Sequence, residues 1–238
     1  MELDFLPNRT TKATPAPITI IWDWNGTLRA DLDDHVAALN ATLPGLGGEP
    51  ISVETYQALH RMPIRDFYAD LLGRQLGDEE WHAADDAFLA ELARRTVRLQ
   101  RGARQLMMGL RARGVRQSLL SLAPHERLVG EVAKAGITGL LERIDGRPGA
   151  AVASKAPAMI EHLRALGPGV DPARTLVIGD SVDDAVAAHA VGAVPVLHTA
   201  GLHGATRLAT AGVPLVDTIQ DAVATGIAII ASGQLAAA

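Results

Sequence analysis

The 238-residue chain contains no cysteine. Disulfide staples, thiolate metal ligands and a cysteine nucleophile are therefore excluded. Aromatic residues make up only 3% of the chain while hydrophobic residues reach 48%, so a substantial core must be built from Ala, Leu, Val and Ile. Long apolar runs are also missing. The longest late one, over residues 226–231, is far too short to span a bilayer, and the N-terminus carries no charged-then-apolar signal pattern. There is no dense run of Lys and Arg, and the net charge is -5. That balance disfavours a nucleic-acid partner and leaves room only for a local basic pocket. The expectation is a cytoplasmic protein with no membrane or nucleic-acid partner.

What is present is an alternation. Residues 1–16 carry turn formers without periodicity and read as a loose lead-in. Residues 17–22 form a short apolar strand suited to burial on both faces. From 31 to 101 the texture is helical throughout. Trp81, Phe88, Leu92 and Leu99 are spaced for one helix face, and Asp78 is placed to cap that helix. From 102 onward, helices over 103–113, 124–135, 155–166, 183–191 and 202–211 alternate with strands over 115–120, 175–178, 194–197 and 214–216. This pattern predicts an α/β fold, a doubly wound parallel sheet. The core spans 1–30 and 102–238 and is interrupted by an all-helical cap over 31–101. In such sheets ligands sit beyond the carboxyl ends of the strands.

Four short stretches fall at those ends. The first strand runs into Asp23-Trp24-Asn25-Gly26-Thr27-Leu28. Ser121 follows the strand over 115–120. Lys155 opens a helix, and neither Lys12 in the lead-in nor Lys134 inside a helix competes with it. The last stretch is Gly179-Asp180-Ser181-Val182-Asp183-Asp184. Each has a plain structural alternative. An Asp can turn the chain, a strand-end Ser can cap the next helix, a Lys can be solvated, and clustered acids can cap a helix. Acids at one strand end repel one another unless a cation lies between them, and hard oxygen ligands of this kind suit Mg²⁺.

Taken together and in this order, the four stretches resemble the signature motifs of the haloacid-dehalogenase (HAD) superfamily, in its phosphoglycolate-phosphatase-like branch with a helical cap. The resemblance implies a phosphatase that forms an aspartyl-phosphate. Asp23 would be the nucleophile, Thr27 and Ser121 would contact the phosphoryl oxygens, and Lys155 would neutralise the nucleophile and phosphate. Mg²⁺ would be held by Asp23, the backbone carbonyl of Asn25, Asp180 and Asp184. The dehalogenases share the cap but work without metal, and the presence of both Asp180 and Asp184 argues against that activity. In the cap, His60, Arg61 and Arg65 are candidates to bind the substrate, because Pro63 breaks a helix there and an Arg can clamp a second anionic group. Solvated surface arginines are the alternative.

One letter departs from the family pattern. Where the phosphatases carry a second aspartate as general acid/base, this chain has Asn25. A carboxamide hydrogen-bonds but transfers no proton at neutral pH, and such help is worth about 10²–10⁴-fold. Four consequences stay open: a slow enzyme, a leaving group that needs no acid, a replacement proton carrier (His60 first, then His35 and His125), or deamidation of Asn25-Gly26. The overall expectation is a Mg²⁺-dependent phosphatase, monomeric or homodimeric, acting on a small phosphorylated metabolite. The rivals are phosphoryl transfer to an acceptor other than water and a low-turnover protein that binds or senses a phosphate ligand.

Overall fold

A computed structural model describes residues 16–61, 63–149 and 154–233. The lead-in expected over 1–16 lies outside the described residues apart from Ala16, as does the alanine-rich tail. Six parallel strands form one sheet in the order β3-β2-β1-β4-β5-β6: β1 (Thr19–Trp22), β2 (Arg116–Pro124), β3 (Ile144–Arg147), β4 (Thr175–Gly179), β5 (Val194–His198) and β6 (Leu215–Val216). β1 and β4 are central and buried throughout, which explains why both read as unbroken apolar runs rather than alternating ones.

The pleat sends alternate residues to opposite faces. Ile20, Trp22, Leu119, Leu176, Ile178, Val194 and Val196 pack against α5 (Ala103–Ala112), α6 (His125–Lys134) and α10 (Ile219–Ser232). Ile21, Leu120 and Val177 pack on the other face against α7 (Ala156–Ala165) and α8 (Val182–Ala190). Gly226 lets α10 lie close on β4, since a Cβ there would sit 2.3 Å from Leu176 Cδ1.

Between β1 and α5 the chain forms α1 (Leu32–Thr42), α2 (Val53–Leu59), α3 (Ile64–Leu72) and α4 (Asp78–Ala93). These helices share a second apolar cluster around Leu39, Tyr56, Phe67 and Leu76, joined by Leu202 from the loop after β5. The chain leaves and re-enters the sheet layer along paired backbone: Ala30 N donates to Arg98 O and Gln100 N to Leu28 O, at 2.8 and 2.9 Å.

Several elements depart from the sequence expectation. β3 was not expected, because Ile-Asp-Gly-Arg carries a single apolar residue and every position is only half-buried. α4 stops at Ala93, and Leu99 instead lies in the returning extended segment bridged to Arg29. Gly77, not Asp78, caps α4. β2 continues past Ser121 to Pro124, with a break in register between Leu120 and Pro124. The helix expected over 202–211 is confined to α9 (Ala205–Ala209). α10, which no sequence reading assigned, starts at a Thr218 cap. Among the described residues no helix is long and apolar enough to cross a membrane.

A buried ionic cluster braces the turn after β1. Glu131 on α6 accepts from Trp24 Nε1 at 2.7 Å, meets Arg29 Nη1 at 2.8 Å and Arg127 Nε at 2.8 Å. Burial works against its charge, but Arg127, Trp24 and Arg29 together hold its carboxyl below the usual range. Arg29 is only 1% exposed, and removing one partner of a buried pair leaves the other charge uncompensated. Glu131→Ala should therefore lower the unfolding free energy by about 3 kcal/mol or more, read from the denaturant midpoint at constant slope. A loss below about 1 kcal/mol, the range of a surface pair, would contradict this role.

Candidate active site

The site assembles where β1 and β4 end side by side. The two strands are in register, Trp22 opposite Ile178, and Asp23 N donates to Ile178 O at 2.9 Å. The next residue of each strand, Asp23 on one and Gly179-Asp180 on the other, therefore emerges at the same sheet edge. After Asp23 the chain folds into a tight turn in which Thr27 N and Arg29 N both donate to Trp24 O. Gly26 makes that turn possible in two ways. Its φ is +73°, and a Cβ would lie 2.1 Å from Asp180 Oδ2, so only glycine fits both the conformation and the contact.

Ser181 and Asp184 cap α8 reciprocally. Ser181 Oγ accepts from Asp184 N, and Asp184 Oδ2 accepts from Ser181 N at 3.1 Å and from Ser181 Oγ at 2.6 Å. This is the capping-box arrangement with Asp in the acidic position. The same Asp184 turns its other oxygen, Oδ1, to Lys155 Nζ at 2.5 Å, and Lys155 Nζ also donates to Asp23 Oδ1 at 2.5 Å. Lys155 itself is anchored by Asp183, which accepts from Lys155 N at 2.7 Å and from Ser154 Oγ at 3.1 Å. Asp180 Oδ2 accepts from Leu202 N at 2.5 Å, and Thr27 Oγ1 lies 3.4 Å from Asp180 Oδ1.

Asp23, Asp180 and Asp184 each offer an oxygen within 4.8 Å of the others, and all three are buried with Lys155. Three carboxylates crowd together with one ammonium, which contacts two of them. Burial pushes the Asp23 carboxyl up to about 6, with Lys155 opposing and Asp184 reinforcing the shift. Burial, Asp23 and Asp184 together push Asp180 well above its ordinary value. Burial alone would lower Lys155, but Asp184 and Asp23 outweigh it and keep the ammonium charged. A compact all-oxygen donor set with excess negative charge fits a hard divalent cation such as Mg²⁺.

Of the residues singled out from sequence, Asp23, Thr27, Lys155, Asp180 and Asp184 come together in this cluster, and Asn25 stands in the adjoining turn with its amide on Asp31. Ser121 is buried at the same sheet edge, two residues beyond Leu119, the partner of Trp22. Its Oγ accepts from Ala123 N at 3.2 Å. His60 is buried at the end of α2, stacked on Tyr56, with Nδ1 3.2 Å from Nε2 of His203. Burial and His203 hold it well below its usual value. Arg61 and Arg65 are committed elsewhere. Arg61 pairs with Asp70 at 2.7 Å and Arg65 with Asp78 at 2.7 Å, all within the helical segment. His125 Nδ1 accepts from Gly146 N at 3.2 Å.

Three residues at the site carried no sequence signal of their role. Asp31 read only as the start of the helical stretch, yet it is fully buried and accepts from Asn25 Nδ2 at 2.5 Å and Gly26 N at 2.7 Å. Asp183 stood only among the clustered acids that can cap a helix, and its grip on Lys155 needs a partner from another element. His203, whose Nδ1 meets Asp180 O at 2.9 Å, lies in a loop without pattern. A hint for Asp31 was available in the i, i+4 pairing with His35, whose Nε2 is 3.3 Å away.

Comparison with known proteins bears on the family and the fold. A family model described as haloacid dehalogenase-like hydrolase matches residues 19–192. A phosphoglycolate phosphatase of Synechococcus elongatus is 27% identical over 198 residues, covering 81% of this chain and 88% of that protein. Two solved structures share the fold. A predicted phosphoglycolate phosphatase from Haemophilus somnus has a TM-score of 0.73 at 20% identity, covering 90% of this chain and 99% of that one. A predicted phosphatase from Clostridium acetobutylicum has a TM-score of 0.76 at 13% identity, covering 90% and 100%.

The crowding of carboxylates has a consequence for stability. A folded-state value of about 6 for Asp23, against an ordinary 3.8, means the folded protein binds this proton more tightly than the unfolded chain. The stability this proton confers is present below about pH 4 and is lost as pH rises through 6. With divalent cations chelated, Asp23→Asn should raise the melting temperature at pH 8, raise it by a smaller amount at pH 5, and change it little below about pH 4. A variant that melts lower than wild type at pH 8 would contradict the electrostatics described.

Proposed function

This chain belongs to the haloacid dehalogenase-like hydrolase family, and on that premise we propose that it is a Mg²⁺-dependent phosphatase of small phosphorylated metabolites, working through an aspartyl-phosphate on Asp23. The observation that carries the reading is Lys155 Nζ at 2.5 Å from both Asp23 and Asp184. A lysine so held keeps its charge beside a carboxylate that is about to meet an anionic phosphoryl group, and preorganised charge of this kind is what such a transition state requires. In the first step an Asp23 oxygen attacks phosphorus and the bond to the leaving oxygen breaks. In the second, water attacks the same phosphorus, the Asp23–phosphorus bond breaks, and the carboxylate is restored.

Asp23, the Asn25 carbonyl, Asp180 and Asp184 would hold Mg²⁺, which supplies charge neutralisation to the phosphoryl oxygens. Gly26 keeps Asp180 close to the turn, and Asp183 keeps Lys155 at the mouth of α7. Ser121 and Thr27 would bond phosphoryl oxygens. The helical segment, through His60 and its neighbours, would close over the substrate. Cytoplasmic location, a monomer or homodimer, and a division into core (1–30, 102–238) and cap (31–101) belong to the same reading. The name of the Synechococcus relative makes phosphoglycolate the first compound to try. One observation favours a second outcome in the same site: Asn25 offers no base to the attacking water, so an alcohol could compete for the phosphoryl group.

A panel of phosphorylated metabolites assayed with Mg²⁺ should show phosphate release that chelator abolishes. Asp23→Asn should lose more than about 10³-fold in kcat, and added alcohol acceptors will reveal any transfer. Turnover that survives in Asp23→Asn would remove the mechanism.

A further inference from the structure

We propose that Asp31 is a positioning residue that locks the Asn25 amide with its oxygen toward the reacting centre, and that the enzyme is therefore selective for phosphate joined to an acidic leaving group, such as an acyl, enol or aryl oxygen. The inference rests on the aspartyl-phosphate reading of Asp23.

The lock is geometric. Asp31 is fully buried, and both of its oxygens are engaged: Oδ2 by Asn25 Nδ2 at 2.5 Å, Oδ1 by Gly26 N at 2.7 Å. Arg29 Nε lies 3.4 Å and His35 Nε2 3.3 Å from the same Oδ2, so the carboxylate faces cationic and N–H groups. An ionised carboxylate only accepts hydrogen bonds, so the amide nitrogen of Asn25 must face it. The amide oxygen is thereby turned away, and among the described residues it accepts no protein hydrogen bond. Asn25 is half-buried while Gly26 and Asp31 are buried, so the amide is the exposed end of this chain of contacts. What Asn25 presents is an acceptor. It can hold a water or an incoming hydroxyl by its hydrogen, and it can give no proton to a departing oxygen.

His35, His203 and His60 do not fill the gap, and His198, which senses the Asp184 charge, is fully buried at the end of β5. His35 sits between Asp31, whose Oδ2 is 3.3 Å from Nε2, and the Tyr56 hydroxyl, 3.2 Å from Nδ1. His203 uses both nitrogens, on Asp180 O and His60. Burial and His203 keep His60 unprotonated near neutral pH. When Asp23 attacks, the leaving oxygen must depart with its electron pair as an anion, unprotonated. In the second step the proton of the attacking water goes to the released phosphate or to bulk solvent. An oxygen that is stable as an anion leaves readily under these conditions, and an alkoxide does not.

The same lock explains why restoring the family aspartate is not a simple gain. A carboxylate at position 25 would face the Asp31 carboxylate at the 2.5 Å now spanned by a hydrogen bond, and like charges at that distance repel. Exchanging the two groups, Asn25→Asp with Asp31→Asn, keeps the hydrogen bond with its direction reversed and keeps the acceptor for Gly26 N.

The test is the dependence of kcat/KM on leaving-group acidity, with aryl and alkyl phosphates as probes and Mg²⁺ present. Using kcat/KM keeps the readout on the step that breaks the leaving bond even where the second step limits kcat. Wild type should lose about 10²–10⁴-fold from the most to the least acidic leaving group, the size of the missing acid's help. The exchanged pair should flatten the profile to about tenfold or less, while Asn25→Asp alone should stay steep or lose activity on every probe. A merely structural Asp31 would shift all probes equally and leave the slope unchanged. A flat wild-type profile overturns the inference even if the exchanged pair fails to fold. So does an Asn25→Asp variant as flat as the exchanged pair. Asp23-independent release, or no release from any probe, would instead overturn the phosphatase reading on which it stands.

Discussion

One ammonium, Lys155 Nζ, lies against two of three buried carboxylates, and the surrounding structure follows from that crowding. Like charges at a sheet edge stay together only when something holds them there. Here the holding is done by backbone and caps. The in-register ends of β1 and β4 deliver Asp23 and Asp180 side by side. The reciprocal Ser181–Asp184 cap fixes the third carboxylate. Asp183 fixes the backbone of the lysine that faces it. The apolar layers on both faces of the sheet resist the repulsion, so the site is preorganised at the expense of local stability. A divalent cation placed among the three oxygens would relieve the same strain that makes the cluster reactive.

The turn after β1 is the second element under constraint. It is braced from below by Glu131 through Trp24 and Arg29 and from the side by Asp31 through Asn25 and Gly26. These contacts fix the direction of groups that in a looser turn would swing. The replacement of an acid by an amide at position 25 is thus embedded in its surroundings and is not an isolated change. The helical segment is tied to the same region by Gln57, whose side chain donates to Gly201 O at 2.8 Å and whose carbonyl accepts from Gly204 N at 3.0 Å. The loop after β5 therefore links the helices to Asp180 through Leu202 and His203.

Much of the sheet was legible from sequence because central strands buried on both faces are short unbroken apolar runs, as at 19–22 and 175–179. The flanking helices α5 to α8 were legible from their period, whereas α10 was not. β3 was not, since an edge strand with one apolar residue carries neither signal. Leu99 followed the helical spacing of α4 by coincidence; it is bridged to Arg29 and packs half-buried against the sheet's apolar layer. The stretches around Asp23, Lys155 and Asp180 stood out because unusual residue types sit at strand ends and helix starts. Asp31, Asp183 and His203 did not, because each acts on a residue from elsewhere in the chain or through a buried turn. Such long-range pairings leave no local pattern. Arg61 and Arg65 looked available only because Asp70 and Asp78, which pair with them, are nine and thirteen residues away.

The central claim is that the crowded Asp23 carboxylate is the group that receives phosphorus. It is tested most directly by rapid acid quench of the enzyme turning over a phosphate donor with Mg²⁺, followed by peptide mapping by mass spectrometry. The account predicts a single phosphoryl adduct, labile to base and hydroxylamine, on the peptide containing Asp23. Because Asn25 gives the attacking water no base, the adduct should make up a large share of the enzyme in the steady state. An adduct on another residue, or turnover with no adduct at any quench time, would contradict it.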